Sequence, residues 1–118
     1  MTNEGAWLDR LLSDLPVLQP IYEEHKRANK DAVLSYLLLE DFVRALSESG
    51  SSDEWNTFVS IVNDWSIGAD QATDDLLVLA ILQPMLESRV WPMLRDRISP
   101  QLRDQLREAV SDDFRARV

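Results

Sequence analysis

The sequence predicts an all-α fold: a compact single domain, residues 1–118, of about five to six antiparallel helices around a central apolar helix near 74–87. Three observations carry this. Apolar residues recur at helical spacing through most of the chain. The one continuous apolar run, Leu76–Leu82, has no second alternating segment to pair with as a strand. The segment from Trp55 to Trp65 separates cleanly into an apolar and a polar face. Solenoid-like stacking of helix pairs is a variant of the same architecture.

The first helix is marked by Trp7, Leu8, Leu11, Leu12 and Leu15, and Pro16 ends it. A short second helix covers "PVLQPIYEEHKRAN", broken or started at Pro20. Asp31 is placed to cap a long third helix through "AVLSYLLLEDFVRALSES", where Glu40–Arg44 and Arg44–Glu48 have i,i+4 spacing. Gly50 suits the position after its end, and Ser51 with Glu54 has the spacing of a capping box. In the fourth helix Trp55, Phe58, Val59, Ile61, Val62 and Trp65 form the apolar stripe, with Asp53, Thr57, Ser60 and Asp64 opposite.

Next comes "GADQATDD", a turn and cap in which Thr73, Asp74 and Asp75 suit a helix N-terminus. The run Leu76–Leu82 is apolar on every face, which predicts a helix packed on all sides. Its acids point outward. Pro84 kinks or ends it. Ser99–Pro100 is an N-cap followed by proline at the first helical position. Leu102, Leu106, Ala109, Val110 and Phe114 mark the last buried stripe. The expected core contains Leu38, Phe42, Leu46, Phe58, Val62, Trp65, Leu77, Leu79, Ala80, Ile81, Leu106 and Val110.

Composition excludes several classes. The chain has no cysteine, hence no disulfide framework, thiol nucleophile or cysteine zinc site. The N-terminus "MTNEGAWLDRLL" lacks the basic and apolar regions of a signal peptide, and Leu76–Leu82 is too short to span a membrane, so a cytoplasmic protein is expected. No phosphate loop, nucleophile elbow, HExxH or EF-hand loop is present. His25 is read as a surface histidine. Adjacent carboxylates diverge by about 100° on a helix and do not converge on one reacting atom. No catalytic residue, cofactor or metal is therefore expected, although Asp70, Asp74 and Asp75 carry oxygen ligands of the kind a divalent cation takes.

Charge is unevenly placed. The formal net charge is −9; residues 1–87 hold 5 Lys/Arg against 16 Asp/Glu, a balance of −11, and residues 88–118 hold 7 against 5, a balance of +2. Between Arg44 and Arg89 there are eight acids and no Lys or Arg. Such a field repels nucleic acid and anionic membrane and attracts a basic protein. The candidate partner-binding residues are Asp53, Thr57, Ser60, Asp64, Asp70, Asp74, Asp75 and Trp91, the last from a proline-bounded "VWP" connection.

The succession "LLSDLPVLQPIYEEH", "LSYLLLEDFVRALSE", "DEWNTFVSIVNDW", "LLVLAILQPML" and "ISPQLRDQLRE" resembles a family of small bacterial all-helical domains of unknown function. Such domains are similar to the immunity proteins of polymorphic-toxin systems. The resemblance covers most of the chain through helix order and apolar pattern. It implies a non-catalytic protein that neutralises a co-encoded toxin by direct binding through an acidic face, and the chain is expected to be a monomer or weak homodimer. In that pattern a glutamate follows the apolar helix, where this chain has Gln83-Pro84. The alternatives are an adaptor domain that docks another protein through a helical groove, and a small helical metal-binding protein or enzyme.

Overall fold

Among the described residues six helices of ten residues or more build the fold, and three of them start on a side-chain cap. In the computed structural model, which describes residues 4–118, α1 spans Glu4–Asp14 and a 3₁₀ turn Pro16–Leu18 leads into α2, Gln19–Ala28. Residues 1–3, part of the N-terminal stretch read for a leader, lie outside the described residues. Then follow α3 (Ser35–Ser49) and α4 (Ser52–Ser66). Helix α5 is composite: an α-helix Gln71–Leu77, a π-helical stretch Val78–Leu82 and an α-helical end Gln83–Leu86. Short α6 (Trp91–Leu94) continues as 3₁₀ through Arg95–Arg97, and α7 (Pro100–Ala109) and α8 (Asp112–Arg115) complete eight helices among the described residues. The class is all-α as the sequence predicts. The count exceeds five to six because the short segments α6 and α8 are helical in their own right.

Two predicted caps form as read. Ser51 accepts from the Glu54 N–H at 3.1 Å while the Glu54 carboxylate accepts from the Ser51 N–H at 2.8 Å, a complete capping box. Ser99 accepts from the Leu102 N–H with Pro100 at the first helical position. The cap predicted at Asp31 does not form: Asp31 lies in a turn at φ 68°, and α3 begins after Leu34. The Leu34 N–H is instead taken by His25 Nε2 of α2 at 3.0 Å. His25 is thus a buried residue, 4 % exposed, and not the surface histidine expected; its other nitrogen lies 3.7 Å from the Asp41 carboxylate. Arg44 also turns to Asp41, at 3.1 Å, rather than forming either i,i+4 pair with Glu40 or Glu48. Gly50 closes α3 with an extended φ of −74°. What demands glycine there is space, since a Cβ would stand 2.6 Å from the Leu46 carbonyl oxygen.

Helix α5 lies against α3, α4 and α7, as the central position predicts. Pro84 does not end it. Within the π stretch the Gln83 N–H reaches back five residues to the Val78 carbonyl, and Pro84, which has no N–H to donate, follows directly. Burial along α5 is not all round, however. Leu77, Val78, Ala80, Ile81 and Leu82 are buried, whereas Leu79 is 41 % exposed. It sits four residues from exposed Asp75 and four from half-buried Gln83, so all three share the outer stripe of the helix.

One continuous apolar cluster, from Leu11 of α1 to Val118, holds these elements together and includes Phe42, Phe58, Trp55 and Trp91. Val110, predicted as core, is half-buried at its edge, and Ala109 is exposed, because α7 stops there and Val110 is extended. Asn63 fixes the entry to α7: its amide donates to the Arg97 carbonyl at 2.7 Å and accepts from the Ser99 N–H at 3.0 Å. The radius of gyration, 13.6 Å, matches the roughly 13.5 Å expected of one folded unit this long.

Candidate functional site

The acids between Arg44 and Arg89 meet different fates. Asp53 is exposed in the first turn of α4, where a carboxylate favours the helix dipole, and Ser60 is exposed on the same polar stripe with Thr57 half-buried between them. Asp64 closes the stripe but is not free. Arg10 of α1, from outside the Lys/Arg-free stretch, reaches it at 2.9 Å. The same guanidinium lies 5.4 Å over the Trp7 ring, and Trp7 stacks on Trp65 with centroids 6.0 Å apart. Glu54 is consumed by its capping box.

Asp70 is the N-cap of α5, accepting from the Thr73 N–H at 2.8 Å. The Thr73 hydroxyl, and then its backbone N–H, hold the Asp70 carboxyl below its ordinary value. Asp74 corrects the expectation that these acids point outward: it is 4 % exposed, and Gln105 of α7 donates to its Oδ2 at 3.0 Å while Oδ1 is buried without a partner. Asp70 and Asp75 face water, the latter with Gln71 donating to it at 2.7 Å. The three carboxylates therefore do not converge, and among the described residues no group of three or more His, Asp or Glu is placed to hold a metal ion.

Trp91 is not a docking anchor. It is 1 % exposed, and its indole N–H donates to the Arg117 carbonyl at 2.8 Å, so both its surface and its polar handle are used within the chain. The neighbouring Arg95 donates to the Val118 carbonyl at 3.0 Å, and together they tie the C-terminal residues to α6.

The geometry adds a place that sequence reasoning missed. A hollow of about 420 Å³ lies between α5 and α7, with Asp75 and Glu108 as its carboxylates and Val78, Leu79 and Ala109 as its apolar surface. Gln105 lines it too, so buried Asp74 stands one hydrogen bond behind its wall. The signal for it is the i,i+4 placement of Leu79 between Asp75 and Gln83, which marks an outward stripe within an apolar run. A second hollow of about 300 Å³, among Leu8, Val33, Leu38 and Trp65, is lined by no charged side chain of the described residues. The stripe residues Asp53, Thr57, Ser60 and Asp64 line neither.

No helix among the described residues is long and apolar enough to cross a membrane. No protein-family model, curated protein or solved structure matches this chain.

Proposed function

We propose that this protein is a non-catalytic binding domain, a cytoplasmic bacterial monomer or weak dimer that docks a basic protein, in the manner of an immunity protein neutralising a toxin. One observation carries the reading. Of the eight acids between Arg44 and Arg89, Asp64 alone has a cationic partner among the described residues. Glu48, Asp53, Asp75 and Glu87 are exposed, with no Lys, Arg or His within ion-pair distance among those residues. Uncompensated surface carboxylates of one sign repel one another, and a cationic surface relieves that repulsion while speeding encounter.

The test is affinity capture from the source cell at low and high salt, with wild type and with Asp53→Lys/Asp75→Lys. Wild type is expected to retain a basic protein that salt releases and the reversed chain does not hold. That protein should be toxic when expressed alone and tolerated when this chain is supplied. Recovery of the same proteins by both chains, or of none that is basic, overturns the proposal.

A further inference from the structure

The hollow between α5 and α7 does not end at Ala109. The same residue lines a further hollow of about 160 Å³, which continues past Gln83 and Glu87 of the α5 end to Val110 and Phe114. The two meet at Ala109 and together make a trough beside α5 from Gln71 to Glu87, about 24 Å at the helical rise per residue. Its polarity is one-sided. Asp75, Glu108 and Glu87 are its charged side chains, and no Lys or Arg lines it. On the adjoining helices Arg103 faces Asp96 at 3.8 Å and Arg107 pairs with Asp104 at 2.8 Å, while Arg115 pairs with Asp112 at 2.9 Å and also donates to the Val110 carbonyl at 3.3 Å, at the far end of the trough.

Between the carboxylates the surface is mixed, with Val78, Leu79, Ala109 and Val110 set among Gln71, Gln105 and Gln83, and Leu79 is the exposed large hydrophobic side chain of α5. Leucine on the outer stripe of a central helix gains nothing from water. Asp74 stands behind the wall, nine-tenths buried with one oxygen unanswered, its other oxygen held by a glutamine that itself lines the trough.

We infer that the trough between α5 and α7–α8 seats a basic amphipathic segment of the partner protein. The inference rests on the binding reading above and names the surface and the chemistry. The segment's apolar stripe lies on Leu79, Ala109 and Val110, and its Lys or Arg side chains reach Asp75, Glu108 and Glu87. A long basic side chain suits such a place because its stem packs on apolar surface while its head meets a carboxylate. A second copy of this chain is disfavoured as the occupant, since its net charge of −9 repels another.

The experiment uses the full chain and two synthetic amphipathic peptides of about 15 residues, alike except that every Lys and Arg of one is Glu in the other. Amide and methyl shifts are followed on titration, and affinity is measured for wild type, Asp75→Asn/Glu108→Gln, Leu79→Ala, and a control pair of exposed acids on α1 and α2, Asp9→Asn/Glu23→Gln. The basic peptide should shift Leu79, Ala109 and Val110. The trough pair should weaken it about five- to tenfold and Leu79→Ala about tenfold, with less than about twofold for the control pair of equal charge change. The acidic peptide should not bind.

Equal weakening by both charge pairs, or shifts centred on α4, would overturn the inference. A basic cellular partner held equally by wild type and by the trough variants would also remove the trough while leaving the binding reading intact. A trough that takes the peptide, in a chain that captures no basic cellular partner, would sink the binding reading instead.

Discussion

Arg10 of α1 and Asp64 of α4 stand 2.9 Å apart, and the same two helices are joined by the stack of Trp7 on Trp65. The pair is roughly half exposed, so its Coulomb energy is screened, yet it spans two helices that share an apolar face. A double-mutant cycle with Arg10→Ala and Asp64→Ala should give a coupling of about 0.2–1 kcal/mol in urea unfolding. Zero coupling would mean that the guanidinium acts only through its stacking on Trp7.

Position 79 separates the outer stripe of α5 from its core. Leu79→Asp should cost less than about 1 kcal/mol because the carboxylate enters a solvated stripe, while Ile81→Asp, at a fully buried site, should cost several kcal/mol. Thermal and urea unfolding of the two variants side by side decides it. Equal losses would place Leu79 back in the core.

Asp70 links the stability of α5 to pH. Its folded carboxyl lies below the ordinary value of 3.8, chiefly through the Thr73 hydroxyl, so its charge contributes stability that is fully present above that value. The contribution fades as pH falls through the lower folded value. Asparagine caps nearly as well as aspartate but does not titrate. The stability difference between wild type and Asp70→Asn should therefore be constant from about pH 7 to 5 and shrink below about pH 4. A difference that stays constant down to about pH 2.5 would show that the carboxylate's charge is immaterial to the cap.

Gln105 donates the side-chain hydrogen bond that buried Asp74 receives. Gln105→Ala should destabilise the fold by about 1–3 kcal/mol, the cost of leaving a buried acceptor unanswered. In an Asp74→Ala background the same substitution should cost much less, because the carboxylate that needed a donor is gone. Additivity of the two changes would deny the coupling.

The parts of the fold legible in the chain are those decided within one or two helical turns. Ser51 and Glu54 are three residues apart, and so are Ser99 and Leu102, so both caps follow from local sequence. The stripe from Trp55 to Trp65 is buried as its period requires. The acidic excess between Arg44 and Arg89 is equally plain, since it is composition. A free tertiary partner cannot be read that way. Asp64 and Asp53 look alike on the polar stripe, and only one of them meets an arginine, which comes from a helix more than fifty residues earlier.

By itself, then, the chain determines its helical class, its acidic field and the positions of its better caps, because periodicity, charge and capping act between near neighbours. Tertiary structure decides which polar groups are consumed. His25 looks like a surface residue until the Leu34 N–H, nine residues on, needs an acceptor at the start of α3. Asp74 looks like Asp75 until α7 brings Gln105 against it from 31 positions away. Leu79 looks like its apolar neighbours until α3, α4 and α7 pack against α5 and leave one stripe uncovered. Burial belongs to the packed arrangement of helices, and a wheel drawn for one helix cannot show which of its faces its neighbours will reach.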